Sequence, residues 1–257
     1  MAADSSEEVI PQGSGSSRTQ PEPPVPEITP ASQLGITALS NSARNRALWR
    51  EIAVVLAVGV IPNLVAAIAV LYHPVAPSPY WLDALQLAVL SGCTIVVVVY
   101  LIGQSGEGRE RFGLGSPEAW DLVFWVFLLM AAEAIGRFVV AIPWPDWSWH
   151  QQLFPRPREM AQYPMMVTKY AFATFSEELV RVYLIVRLSQ LLSSRVEGLI
   201  IATILFASYH LYAGLPGVVN AFLFGLAFGI AFLCIGRIWS LAFAHALYDM
   251  RLELMVV

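Results

Sequence analysis

The chain has 257 residues, of which 57% are hydrophobic and only 13% are charged, and its mean hydropathy is +0.61. This composition excludes a soluble globular domain and predicts a polytopic membrane protein. The net charge of −4 comes without a long basic run, so we expect no nucleic-acid partner. The two cysteines, Cys93 and Cys234, lie in apolar stretches and are expected to be buried thiols.

The N-terminal region is polar and precedes all the apolar stretches. Residues 1–45 are rich in Ser, Pro, Gln and Glu, and they cannot bury enough apolar surface to fold alone. We therefore expect a disordered tail at 1–45 and a transmembrane helical domain at 46–257. The composition leaves open whether the proline-rich segment at 21–26 binds a partner.

Seven apolar stretches follow the tail and predict an all-α bundle of about seven transmembrane helices. They cover residues 49–71, 81–102, 119–142, 165–188, 196–212, 217–235 and 238–255. Arginines in the connections, at positions such as Arg46, Arg109 and Arg237, then fall on one side. By the positive-inside rule, this places the N-terminus in the cytoplasm and the C-terminus outside.

Two of these stretches carry features that predict helix contacts. In the third, Glu133 and Arg137 lie at helical spacing, and we expect them to pair with each other inside the bundle. In the sixth, Gly225 and Gly229 form a G-x-x-x-G pattern that allows a neighbouring helix to approach closely. Both features indicate packing rather than chemistry.

The fourth stretch carries three charged residues near its middle. Glu177, Glu178 and Arg181 in a spanning helix cost on the order of 8–10 kcal/mol unless they pair or face a wet cavity. Glu177 and Arg181 lie four residues apart on one helix face, so the spacing favours a pair between them and leaves Glu178 more nearly free. A buried ion pair that fixes helix packing accounts for one carboxylate, but not for the other.

Two histidine motifs lie on the helices that follow. They are Phe206-x-x-x-His210 and His245-x-x-x-Asp249. Because short connections make successive helices neighbours, these side chains can converge with the glutamate pair on one pocket. Carboxylates and imidazoles in a partly dry cavity can activate a water molecule for hydrolysis, and they can also carry protons or cations across a membrane.

Taken in order, the three motifs resemble those of the CPBP family of intramembrane proteases, which includes the CAAX-type prenyl-protein endopeptidases and the bacterial Abi relatives. The resemblance covers a catalytic-type core at 165–257, and fragments at 112–114 and 236–240 are also similar. It implies a membrane-embedded endopeptidase with a protein or peptide substrate, which is lipidated in the CAAX-type members. We expect this short chain to reside in the bacterial inner membrane, where membrane lipids surround it.

The resemblance implies a role for each motif residue. Glu177 would activate the attacking water together with His210, and Arg181 would fix the glutamate pair, with Phe206 supporting the site. His245 and Asp249 would hold an oxyanion or a metal. The resemblance alone places the base at Glu177 rather than Glu178. It leaves open both a zinc ion on His210, His245 and Glu177 and a metal-free glutamate mechanism.

Asp249 departs from the prenyl-protease pattern, in which asparagine is common. An ionised aspartate accepts hydrogen bonds and cannot donate one to an oxyanion. We therefore expect Asp249 to orient His245 or to help bind a metal, and the substrate need not be prenylated. Two other functions are left open: a non-catalytic relative that acts as a scaffold or immunity factor, and a proton-coupled carrier, against which the lack of internal repeats argues.

Overall fold

The computed structural model describes residues 30–72, 78–148 and 157–255. Within these ranges the chain consists of helices joined by turns and contains no strand, which confirms the prediction of an all-α fold. Residues 42–257 form one compact unit, and residues 1–41 form another. Most of the predicted tail at 1–45 lies outside the described residues, and helix α1 begins at Pro30.

Seven helices make up the described part of the chain, as the sequence predicts. The first runs from α1 (Pro30–Val55) through a π-helical turn (Leu56–Val60) into α2 (Ile61–Tyr72). The others are α3 (Tyr80–Gln104), α4 (Asp121–Ala141), α5 (Tyr163–Leu192), α6 (Arg195–Ser208), α7 (Gly214–Ile235) and α8 (Trp239–Met255).

The π-helical turn in the first helix has a local cause. Pro62 lacks a backbone N–H, so the carbonyl of Val58 loses its regular helical partner. The hydroxyl of Thr94 on α3 donates to this carbonyl over 3.2 Å, and Asn63 Nδ2 donates to the carbonyl of Gly59 over 2.8 Å. The turn therefore brings the first helix against α3.

Helix α5 lies at the centre of the bundle and packs against α3, α6 and α8. Its side chains from Glu178 to Ile185 are all buried, including the two charged ones, Glu178 and Arg181. Helix α4 completes the bundle by packing on α7 and α8. The charged triad of the fourth apolar stretch therefore lies on the most enclosed helix, where unpaired charges are most costly.

Among the residues that the structure describes, four helical stretches are long and apolar enough to cross a membrane: Ser42–Tyr72, Tyr80–Gln104, Val123–Ala141 and Leu211–Ile235. The three remaining helices either carry ionisable residues, as α5 does, or are short, since α6 has 14 residues and α8 has 17. The four apolar stretches can span the membrane, and α5, α6 and α8 pack against helices that contain them. The chain is therefore an integral membrane protein.

Helix α6 is shorter than predicted, and this changes the position of one motif residue. The fifth stretch was expected to be helical over 196–212, but α6 ends at Ser208 and a 3-10 turn follows at Leu211–Ala213. The next helix begins at Gly214, whose φ of 76° is open to glycine and rarely to other residues. His210 therefore lies in the break between α6 and α7 rather than on a helix.

Two further expectations about packing are wrong, and one is confirmed. Cys93 and Cys234 are both exposed, because an apolar helix in a membrane also has a lipid-facing side. Glu133 forms its ion pair with Arg251 of α8 rather than with Arg137. The glycine pattern does admit close neighbours, since a Cβ on Gly225 would lie 3.0 Å from the Phe206 ring and one on Gly229 would meet Leu199 of α6.

Candidate active site

Helix α5 holds its buried carboxylate and its arginine in a short ion pair. Glu178 Oε2 lies 3.0 Å from Arg181 Nη1, and both side chains are almost completely buried. The guanidinium also stacks on the ring of Phe206, with 3.7 Å between its carbon and the ring centroid. The spacing favoured Glu177 as the partner of Arg181; the structure instead uses the i,i+3 contact with Glu178, which a helix permits equally well.

His245 of α8 lies against the same carboxylate. Its Nδ1 is 2.8 Å from Glu178 Oε1, and because a carboxylate only accepts hydrogen bonds, Nδ1 carries the proton. The other ring nitrogen, Nε2, faces Asp249 Oδ2 at 3.5 Å and Glu177 Oε2 at 4.0 Å. Glu178 thus fixes the orientation of an imidazole whose second nitrogen points at the two remaining carboxylates.

Glu177 and Asp249 form the accessible side of this cluster. Each side chain is 27% exposed, whereas those of Glu178, Arg181 and His245 are 4% exposed or less. Glu177 Oε2 has no hydrogen-bond donor among the described residues. This enclosed oxygen is therefore an unused acceptor beside His245, and two nitrogens of Arg181, Nε and Nη2, also lack hydrogen-bond partners.

His210 reaches the cluster through Phe206. Its Nδ1 lies 2.9 Å from the carbonyl oxygen of Phe206, which α6 leaves without a helical partner where it ends. The imidazole lies against the Phe206 ring at a tilt of 50°, with 4.7 Å between the ring centroids, and the same ring lies edge-on to His245 at 6.2 Å. The structure therefore brings all seven predicted site residues together, five by polar contacts and His210 and Phe206 by ring contacts.

The aromatic wall of the site includes a residue that the sequence analysis missed. Phe224 of α7 lies 4.6 Å from the His245 ring and 5.5 Å from the guanidinium of Arg181. It directly precedes Gly225, so the close approach of α6 and α7 at that glycine also presses this ring onto the site. The sequence feature that could have predicted this residue is a phenylalanine directly before the G-x-x-x-G pattern.

A second buried polar cluster, also missed, lies beyond Asp249 on α8. Lys169 of α5 is ion-paired with Glu253 and lies 3.7 Å from Asp83 of α3. Two tyrosines, Tyr80 and Tyr170, donate hydrogen bonds to the same Glu253 carboxylate. The sequence feature that could have predicted this cluster is the lysine within an apolar stretch. The cluster connects α3 to α5 and α8, the two helices that carry most of the site.

The fragments at 112–114 and 236–240 lie against each other outside the spanning segments. Ile238 N donates to Gly113 O over 3.1 Å, and a Cβ on Gly113 would lie 2.8 Å from that nitrogen. Arg237 forms hydrogen bonds with both Asp121 carboxylate oxygens at 2.8 Å. These contacts fix the start of α8 and so the height of His245.

The contact between Asp121 and Arg237 shifts the pKa of both side chains. Burial alone would raise the pKa of Asp121, but hydrogen bonds from Arg237, from the Glu118 backbone and from Ser240 hold the pKa below its usual value. The hydrogen bond with Asp121 raises the pKa of Arg237 in turn. The pair is therefore charged throughout the physiological range.

A metal ion does not fit these side chains as they are arranged. Within the described ranges, no group of three or more His, Cys, Asp or Glu residues has the geometry to hold one. Among the proposed zinc ligands, His210 contacts a backbone carbonyl through Nδ1 and His245 contacts Glu178 through Nδ1, so each ring keeps Nε2 open, and it is the spacing of the side chains that does not suit a metal.

Comparison with known proteins finds similarity to one protein family. Neither the curated proteins nor the solved structures give a match. A protein-family model, type II CAAX prenyl endopeptidase Rce1-like, matches residues 159–251, which include every predicted site residue. The resemblance inferred from the three motifs is thereby confirmed: residues 159–251 are similar to the Rce1-like family of type II CAAX prenyl endopeptidases.

Proposed function

We propose that this protein is an intramembrane endopeptidase in which Glu177 is the general base. The observation that carries the proposal is the different environment of the two glutamates. Glu178 is shared between Arg181 and His245, whereas the Glu177 side chain is 27% exposed and its Oε2, itself buried, has no hydrogen-bond partner among the described residues. A base needs an oxygen that can accept a proton from water, and only Glu177 offers one in the glutamate pair.

The proposed reaction is the hydrolysis of one peptide bond. Glu177 takes a proton from a water molecule whose oxygen attacks the scissile carbonyl carbon, and the carbonyl oxygen becomes an oxyanion. His245, protonated on Nε2, donates a hydrogen bond to that oxyanion while Glu178 holds Nδ1. When the C–N bond breaks, Glu177 returns its proton to the leaving amine, so the products are a carboxylate and an amine.

His210 and Asp249 complete the proposed site. With Nδ1–H bound to the Phe206 carbonyl, the neutral His210 ring has its lone pair on Nε2, which suits it to orient the attacking water. Asp249 Oδ2, 3.5 Å from Nε2 of His245, stabilises the protonated form of that ring. Because Asp249 already has this task, we propose that it does not contact the oxyanion.

The substrate is proposed to be a protein or peptide that reaches the site from within the membrane. The family match supports this class, and its CAAX-type members act on prenylated C-termini. The acidic Asp249 leads us to propose that a prenyl group is not required here. We further propose that the protein resides in the bacterial inner membrane with its N-terminus in the cytoplasm.

Glu177→Gln tests the assignment of the base. Gln keeps the shape of the side chain but cannot accept the proton, so we expect kcat/KM to fall by about 10²–10⁴-fold. The measurement uses the full chain purified in detergent and a library of peptides with and without a C-terminal prenyl group. Glu110→Gln, which neutralises an exposed carboxylate in a loop, is the matched control and should leave activity unchanged.

Two outcomes of this assay bear on the mechanism. Full activity of Glu177→Gln would remove Glu177 from the role of base. The same assay in the presence of a zinc chelator should show retained activity, because the proposed steps use carboxylates and imidazoles only. Activity that is lost with the chelator and restored by added zinc would contradict the metal-free mechanism.

A further inference from the structure

A groove on the outer surface of α4, away from the candidate active site, has an unusual composition. Its volume is about 390 Å³, within the range of roughly 300–1,000 Å³ that ligand pockets occupy. It is lined by three apolar side chains, Leu129, Met130 and Ala134, and by two charged ones, Glu133 and Arg137. Apolar walls with a charge at one end suit an amphipathic ligand.

The charges in the groove leave one cation unpaired. Glu133 is neutralised by its ion pair with Arg251 of α8. Arg137 is exposed and makes no hydrogen bond or ion pair within the described part of the chain. The groove and its immediate surroundings therefore carry a net positive charge, and the carboxylate in it does not oppose an anion.

The position of Arg137 places this charge near the membrane surface. Arg137 is four residues before the end of α4 at Ala141, which is about 6 Å along the helix axis. Trp144 follows, with its indole N–H bound to the carbonyl of Val139. A side chain as long as arginine can extend from this depth to the headgroup layer.

The face of α4 around the groove is turned towards lipid. Phe127, Met130 and Phe138 are each 60% exposed or more, and no described helix covers them. A lipid chain can therefore reach the groove directly from the bilayer. An exposed guanidinium on such a face is stabilised by a phosphate, whose oxygens accept two parallel hydrogen bonds from it.

We propose that this groove binds one anionic phospholipid, with the phosphate on Arg137 and an acyl chain along Leu129, Met130 and Ala134. The uncompensated positive charge selects an anionic headgroup over a zwitterionic one, whose own cation would face Arg137. The proposal is independent of the peptidase assignment, because none of these residues belongs to the candidate active site.

Lipid binding is measured on the full chain, delipidated in a mild detergent and analysed by native mass spectrometry. The probes are palmitoyl-oleoyl phosphatidylglycerol and palmitoyl-oleoyl phosphatidylcholine at equal concentration. We expect one phosphatidylglycerol to be retained in preference to phosphatidylcholine. Equal retention of the two lipids by the wild-type chain would overturn the proposal.

Three variants distinguish lipid binding in the groove from general electrostatic attraction of the lipid to the protein surface. Arg137→Gln should lower retention of phosphatidylglycerol by about fivefold, the effect of one basic residue at a charged membrane surface. Arg137→Lys should lower it less, because the charge is kept and only the paired hydrogen bonds are lost. Arg195→Gln, at an exposed arginine that begins α6, should have no effect. Equal losses in Arg137→Gln and Arg195→Gln would refute a defined site.

Discussion

Glu177 and Glu178 are adjacent in the sequence, yet the fold gives them opposite environments. A turn of about 100° between them directs Glu178 towards Arg181 and α8, and Glu177 towards the accessible edge. The sequence predicts that one glutamate is paired and the other free, but spacing alone cannot say which, since Arg181 is within helical reach of both. The height and rotation of α8, which brings His245 to Glu178, make the choice.

Arg181→Met tests the buried ion pair at this scale. Removing the cation leaves the Glu178 carboxylate buried beside His245 alone, so we expect the unfolding free energy to fall by about 3 kcal/mol or more. The double variant Glu178→Gln with Arg181→Met should lose less than the sum of the single variants, because no buried charge is left unpaired. Strictly additive losses, measured by denaturant unfolding in detergent, would show that the pair is not coupled.

At the scale of helices, the contact between α5 and α6 controls where the second motif lies. Ser193 ends α5 in a left-handed conformation, and the hydroxyl of Ser194 accepts a hydrogen bond from the backbone N–H of Glu197 in the first turn of α6. The two helices then approach so closely at Gly198 that a Cβ there would lie 2.7 Å from the backbone nitrogen of Ser189. The tight turn therefore fixes α6, and with it Phe206 and His210, against α5.

Gly198→Ala should force α6 away from α5, since the added methyl meets backbone atoms that cannot rotate aside. We expect a loss of about 1–3 kcal/mol in stability and a lower kcat, because Phe206 and His210 move with the helix. Gly103→Ala is the matched control: it lies in α3 with no atom within 4 Å of its added Cβ. If the two variants unfold at the same temperature, the close approach is not important for packing.

The helices themselves were predictable, but the end of α6 was not. The apolar pattern continues through Tyr209 and Leu211, so hydropathy gives no sign that the helix stops at Ser208. The break depends on the conformation of Gly214 and on the side chain of His210, which takes over the Phe206 carbonyl. Both are tertiary effects that a periodicity argument does not contain.

For the molecule as a whole, composition predicts the membrane but not which helix faces lie inside. Lipid and protein core are both apolar, so Cys93 and Cys234 could not be assigned from their apolar neighbours, and they prove to be exposed. The same ambiguity hid the true partner of Glu133, which comes from α8. Charged residues were the better guide, because each must find a partner or an aqueous surface.

Stability should depend on pH through the loop carboxylates. Burial would raise the pKa of Glu107, but hydrogen bonds from Arg187 and Gln190 lower it, and the pKa of Asp121 is lowered as well. A carboxyl with a lowered pKa stabilises the fold above its unfolded-state pKa, and this stabilisation is lost as the pH falls through the folded-state value. We therefore expect the melting temperature, measured in detergent, to decrease as the pH is lowered below about 4.

Asp121→Asn provides the check on this pH dependence. It should lower stability at neutral pH, because Arg237 keeps Glu118 but loses its more buried ionic partner, and it should flatten the decline in acid. An unchanged slope between the variant and the wild-type chain would show that Asp121 does not contribute to it.

The ion pairs at one end of the bundle join two parts of the chain that are made at different times. Arg187 and Arg237 lie in the region that matches the family, while their carboxylate partners Glu51, Glu107 and Asp121 lie in the first half of the chain. During synthesis the N-terminal helices enter the membrane first. The carboxylates are therefore synthesised before each arginine, so we expect the early helices to provide the surface on which the region that matches the family packs.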